Sequence, residues 1–129
     1  MRMVESLFQG DNYQAVKKLL DVAAMRHEAL ASNIANVETP GYKRLDVDKT
    51  FEAELRSDLR AGDVRDAAGL QPRIAEDSTA RGMRSDGNNV QLDRELLAMT
   101  ENSTNFDVLT QFASSSLKQL RTAITGRNV

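Results

Sequence analysis

Residues 29–44 read Ala29-Leu-Ala-Ser-Asn-Ile-Ala-Asn-Val-Glu-Thr-Pro-Gly-Tyr-Lys-Arg44. A smooth helical pattern meets two asparagines and then stops at Thr39-Pro40-Gly41-Tyr42. Asparagine tolerates the left-handed backbone that often ends helices, so Asn33 and Asn36 are expected to close this one. The residue before a proline is pushed out of helical geometry, which makes Thr39 extended. Pro40 presets φ at the second position of a type II turn, and Gly41 supplies the positive φ of the third. The stretch predicts a helix, a stop and a defined exit angle. It carries hydroxyls and amides but no nucleophile paired with a base.

Working outward, glycine and proline punctuate the chain at positions 10, 40, 41, 62, 69, 72, 82, 87 and 126. Two long gaps contain neither, 11–39 and 88–125, and the breakers crowd the middle. The pattern is helix, irregular middle, helix. In the first gap Val16, Leu20, Ala23, His27, Leu30, Ile34 and Val37 recur at alternating spacings of four and three. In the second, Leu92, Leu96, Met99, Ser103, Phe106, Thr110, Ala113, Leu117, Leu120 and Ile124 do the same. That is a heptad seam, interrupted by the polar Ser103 and Thr110. Asp86-Gly87 reads as a turn and Asn88 as the cap of the second helix, with Gln91 where a capping box wants it. A helix over 88–125 would be ~55 Å long, more than one small globule can bury on all sides. The two helices are therefore expected to pair as a coiled coil, with outer faces left for other subunits.

The middle is less regular. Tyr42, Leu45 and Val47 suggest a short extended piece, and Leu70–Asp77 one strand or hairpin arm. Phe51, Leu55 and Leu59 fall at i, i+4 and i+8, a short amphipathic helix. Residues 60–86 are charged and poor in large apolar groups, and loops are expected there. The expectation is one domain over 1–129, mainly α: a helix at 10–37, a turn and irregular segment at 38–87 with a short helix and a small β element, and a helix at 88–126.

Composition narrows the function. Leu, Ile, Val and Phe make up 30 of 129 residues, only slightly above the range of chains that never fold, so the core is thin and partners have apolar surface to cover. Net charge is −2 with both signs mixed throughout. No stretch has the basic excess that nucleic acid or an anionic membrane demands. The absence of cysteine removes disulfides, thiolate metal sites and a Cys nucleophile. No apolar run reaches the roughly 20 residues of a membrane helix, and the start, Met1–Gln14, lacks the apolar core of a cleavable signal. His27, the only histidine, lies on the seam and reads as a packed or interface residue. Asp46, Asp48 and Glu52 could suggest a calcium loop, but position 51 is Phe where such a loop needs Gly. No catalytic set, cofactor site or metal site is expected, which weighs against an enzyme.

Residues 29–44 resemble the N-terminal signature of the bacterial flagellar axial proteins, the rod, hook and hook-associated subunits. The shared pattern is an apolar helix, Asn-Ile-Ala-Asn, a short spacer, a Thr/Pro/Gly turn and Tyr-Lys. Residues 86–124 look like the C-terminal segment of the family's proximal rod member. The resemblance covers roughly residues 10–59 and 85–126. It implies paired terminal helices packed into the proximal rod of the flagellar basal body, a shaft that transmits torque and encloses the export channel. It implies export through the flagellar type III apparatus without a cleaved signal. The partners it implies are further copies and the rod subunits FlgC, FlgF and FlgG, with FliE, the MS ring and the export gate at the base. Asn33, Asn36, Thr39, Pro40, Gly41 and Tyr42 match the family's turn. Val16, Leu20, Ala23, Leu30, Ile34, Leu92, Leu96, Met99, Phe106, Ala113, Leu117, Leu120 and Ile124 are the expected packing and assembly residues. Phe51 and Leu55 match a loose Phe-x-x-x-apolar pattern tied to export-gate recognition in the family, although any amphipathic helix produces it. Rival readings are another rod subunit such as FlgC, and a soluble coiled-coil adaptor or chaperone.

Overall fold

The computed structural model describes residues 11–126. The expected helix start at residue 10 and the reading of the first ten residues lie outside them. The elements run α1 (Asp11–Ala35), β1 (Leu45–Val47), α2 (Lys49–Ala61), α3 (Val64–Gly69), β2 (Ile74–Glu76) and α4 (Leu92–Thr125). The architecture is mainly helical, with long helices at both ends and a small sheet between them. Helix α4 is ~51 Å long at 1.5 Å per residue, and its most extensive partner is α1.

Helix α1 is covered on two sides. One side faces α4 through Val16, Ala23 and Leu30. The other meets the middle segment, where Val22, Val47, Phe51, Leu55 and Ala67 form a compact core flanked by Leu19, Leu59 and Leu70. The Lys18 ammonium donates to the Leu70 carbonyl at 2.7 Å and ties this side to the segment after α3. Helix α2 begins where the Asp48 side chain accepts from the Thr50 N–H, and it ends at Gly62 in left-handed geometry.

Strands β1 and β2 pair antiparallel, with Leu45 opposite Glu76 and Val47 opposite Ile74. Two further backbone bonds extend the ladder, Asp77 N–H to Arg44 O at 2.9 Å and Asp48 N–H to Arg73 O at 2.8 Å. An isolated two-stranded hairpin is marginal in water, so this one depends on packing against α1. The expectation of loops across 60–86 missed α3, while the strand or hairpin arm expected at Leu70–Asp77 contains β2. Helix α3 is short, and only Ala67 is buried in it, too little pattern to show in the sequence.

The heptad reading of α4 needs correcting by one residue at every other position. The side chains on the α1-facing line are Glu95, Met99, Asn102, Leu109 and Ala113, all buried or half-buried, with Phe106 at the edge; Ser116, half-buried, and Leu120, buried, continue the same line. Met99, Phe106, Ala113 and Leu120 were expected on this seam. Leu92, Leu96, Leu117 and Ile124 were also expected there, and they are exposed instead. Polar Glu95 and Asn102 take the inner positions because specific partners wait for them on α1. His27 is likewise exposed rather than packed. Leu20, Ile34 and Val37 are half-buried.

Candidate functional site

Below the turn at Thr39–Tyr42 lies a buried polar knot that joins three separate parts of the chain. Its centre is Asn33, fully buried in the last turns of α1. Its Oδ1 accepts from the Leu45 N–H at 2.8 Å and from the Tyr42 hydroxyl at 3.1 Å. Its Nδ2 donates to the Leu45 carbonyl at 2.8 Å and to Glu95 Oε2 at 3.1 Å. A primary amide has two acceptor and two donor positions, and all four are used. Asn33 thus satisfies both backbone groups of Leu45, as a neighbouring strand would, and reaches α4 with the same amide. Tyr42 closes the knot from above, its hydroxyl also 2.9 Å from Ser32 Oγ.

Asn36 acts locally. Its Nδ2 donates back to Ser32 O at 2.9 Å and its Oδ1 accepts from Thr39 Oγ1 at 3.1 Å. Neither asparagine adopts the left-handed backbone expected of it, since every described positive-φ residue is a glycine. The side chains, not their backbone tolerance, are what the helix end uses. The turn itself follows expectation: Tyr42 N–H donates to Thr39 O at 3.2 Å, and Gly41 has φ +75°.

The turn rests on the segment leading into α4. Gly41 N–H donates to Asp86 O at 2.8 Å, and Arg44 N–H to Asn89 Oδ1 at 2.6 Å. Asn88, read from sequence as a helix cap, does something else. It is fully buried, and its Nδ2 donates to the carbonyls of Asn36, Val37 and Thr39 at 2.9, 3.2 and 2.8 Å. Helix α4 starts later, behind Gln91, whose side chain caps nothing. Asn88 is consumed by the carbonyls that follow the end of α1, where it adds a side-chain donor to those of the turn's own backbone. Arg84 also donates to Val37 O, and Lys43 to Gly87 O.

Beneath the knot lies an ion network. Arg44 Nε donates to Glu95 Oε1 at 2.5 Å, and its Nη1 contacts Asp46 Oδ2 at 3.0 Å and Asp77 Oδ2 at 2.7 Å. Arg26 binds Asp46 Oδ1 at 3.1 Å and pairs with Glu52. Burial works against the Asp46 carboxylate, but the Arg44 hydrogen bond, the Val47 N–H and the charges of Arg26 and Lys49 outweigh it and hold it below its ordinary range. Asp77 is held down the same way against its burial, by Thr79 and by the charges of Lys49 and Arg44. Burial also opposes the Arg44 charge, and Glu95 and Asp46 more than restore it. A second polar clasp sits farther along, where Asn102 Nδ2 donates to Ala23 O at 2.9 Å.

Asn33, Asn36, Thr39, Gly41 and Tyr42 are therefore brought together, with Pro40 exposed at the turn's tip. Phe51 and Leu55 lie elsewhere, buried in the core. Sequence reading missed Arg44, Asp77, Glu95 and Asn102, and gave Asn88 a different role. A signal existed for two of them, since Glu95 and Asn102 fall seven apart on a line with Leu109 and Ser116. Among the described residues no group of His, Asp or Glu could hold a metal ion, and no helix is long and apolar enough to cross a membrane.

A turn locked onto α4, with an apolar stripe left over on that helix, suits a subunit that assembles through its terminal helices. Comparison with known proteins gives the class: the sequence profile of the family described as "Flagella basal body rod protein" matches residues 22–43, the end of α1 and the turn. The chain is 28% identical to the flagellar basal body rod protein FlgB of Bacillus subtilis, over 94% of this chain and 98% of that one. It is 30% identical to FlgB of Escherichia coli, covering 87% and 91%, and 31% identical to FlgB of Aquifex aeolicus, covering 94% and 97%. The chain belongs to the FlgB family, and it is a structural subunit of the flagellar basal body rod.

Proposed function

We propose that the chain works as one unit in the proximal part of the rod, helping to transmit torque and to line the export channel, and that it catalyses nothing. The observation that carries this reading is the apolar stripe Leu92, Leu96, Leu117 and Ile124. It runs along α4 beside the seam and stays exposed in the single chain. Exposed apolar surface of this extent marks an interaction site, and helical assembly covers it with neighbouring subunits. Neighbours of the same kind, with FlgC, FlgF and FlgG along the shaft and FliE, the MS ring and the export gate at its base, are the partners this reading names. Delivery is by the flagellar type III apparatus.

The test is deletion of the gene followed by complementation with the intact chain and with a Leu117→Glu, Ile124→Glu double variant. The intact chain should restore swimming and appear in isolated basal bodies, and the double variant should do neither. Swimming without the chain would end the proposal. For the export signal, Phe51→Ala is compared with Val47→Ala, which opens the same core outside the Phe51–Leu55 pattern. Loss of secretion in the first alone supports a signal, and equal secretion of both leaves Phe51 as a core residue.

A further inference from the structure

Helix α4 divides its charges. Its carboxylates, Asp93, Glu95, Glu101 and Asp107, all lie in the first half, and after Asp107 it carries only Lys118 and Arg121. Leu117, Arg121 and Ile124 follow one another at spacings of four and three, so they share a face. Leu117 and Ile124 are 50% and 61% exposed on it. Lys118 stands beside them, three residues from Arg121. Neither cation has an ion-pair partner among the described residues. This end of α4 is apolar and basic on one face.

The opposite character is found between α1 and the first half of α4. A cleft of about 330 Å³ is formed there by Ala23, Ala24 and His27 of α1 and Ser103, Phe106 and Asp107 of α4. Ala24 lies more than half a turn from Val22, so the cleft opens away from the middle segment. The small side chains of Ala23, Ala24 and Ser103 leave room between the helices. Leu96, seven residues before Ser103 and half-exposed, extends the apolar floor. The rim is acidic. Asp107 lines it, and Asp21 and Glu28 stand three residues before and four after Ala24, which places them on the same flank of α1. All three are exposed, and none has an ion-pair partner among the described residues. Lys17, a turn before Asp21, is the one exposed cation at the edge. Arg26 is turned to Asp46 and Glu52, and Arg94 lines a different pocket with Asp77 and Thr79.

We propose that this cleft receives the end of α4 from a second copy, with Leu117 and Ile124 over Ala24 and Phe106, and with Lys118 and Arg121 against Asp21, Glu28 and Asp107. The charges select this occupant, since the cleft is negative and the last part of α4 is positive without exception. A second copy has to supply it, because Asp107 and Arg121 of one continuous helix stay ~21 Å apart along its axis. Cleft and helix end are different surfaces, so the contact is heterologous and repeats from copy to copy. The inference rests on the rod-subunit reading and adds how the exposed stripe is covered: its Leu96 end meets the Leu117 and Ile124 end of a neighbour.

The chain has no cysteine, so engineered ones report cleanly. Cells carry the full chain with Ala24→Cys and Leu117→Cys as their sole copy, and isolated basal bodies are oxidised and run on gels without reductant. Within one copy Ala24 lies level with Ser103, and Leu117 is ~21 Å farther along α4, beyond the ~7 Å that a disulfide spans between Cα atoms. A ladder of covalent oligomers is expected, with monomer only from either single variant. A chain present in basal bodies but monomeric under oxidation overturns the proposal while leaving the rod reading intact. So does a dimer from Leu117→Cys alone, which pairs two helix ends with each other. So does an intrachain link between Met3→Cys and Ala24→Cys, which gives the cleft to the chain's own first residues. If the paired cysteines bar the chain from basal bodies that accept the unmodified one, charge exchange decides. Lys118→Glu with Arg121→Glu should cut swimming at least tenfold, and adding Glu28→Lys with Asp107→Lys should restore most of it; no rescue overturns the contact. Absence of the unmodified chain from basal bodies of swimming cells sinks the rod reading itself.

Discussion

Asn33 makes four hydrogen bonds, to the turn, to β1 and to α4, and no smaller side chain can replace them. Asn33→Ala strands the Leu45 backbone groups and one oxygen of Glu95 in a buried site, and should cost about 2–4 kcal/mol in urea unfolding. Glu95→Ala removes the main anion from a half-buried Arg44 and should cost about 3–5 kcal/mol, as breaking a buried pair does. Gly41 presents a different case. A Cβ there meets nothing within 4 Å, so Gly41→Val carries only the cost of φ +75°, about 1–2 kcal/mol. That variant should be synthesised and fold, yet fail to assemble, because the strained turn shifts against Asp86 and Asn88. Normal swimming in the variant would refute this.

Helix α4 shows how a correct period can hide a wrong face. The four-three spacing was legible, and Met99, Phe106, Ala113 and Leu120 fell on the right line. The companion line was off by one residue, because apolar Leu92, Leu96 and Leu117 outweigh Glu95 and Asn102 in any count of hydrophobicity. The inner line is polar since Asn33 and the Ala23 carbonyl offer it hydrogen bonds that no single-helix pattern records. The two lines should respond oppositely to mutation. Leu117→Glu on the exposed line should change the stability of the free subunit by no more than about 0.5 kcal/mol. Asn102→Ala should destabilise it by about 1 kcal/mol and barely affect the assembly face. Thermal unfolding of the two purified variants separates them.

At the scale of the molecule, carboxylates hold the middle segment to α1 and α4, and acid should release it. Asp46 and Asp77 lie below their ordinary values in the folded chain. A depressed carboxylate contributes stability above its unfolded value of about 3.9, and loses it as pH falls through the folded one. Melting temperature should therefore be nearly flat from pH 7 to about 5 and fall steeply below about 4. Asp46→Asn should flatten that fall. An acid limb unchanged by the substitution would place the sensitivity elsewhere.

The sequence by itself determined the long terminal helices, the turn at Thr39–Tyr42 and the short amphipathic α2. Each rests on local rules: a periodic apolar pattern, a proline that limits φ, a glycine that permits its positive sign. Only the tertiary structure decided that the asparagines act through their side chains, and that Asn88 caps the end of another helix instead of the start of its own. It also decided that Arg44, Asp77 and Glu95 form one network. Those outcomes depend on groups far apart in sequence, as Asn33 and Glu95 are by 62 positions. A hydrogen bond between such residues leaves no periodicity behind. It exists only once two helices and a strand have already fixed the distance between them.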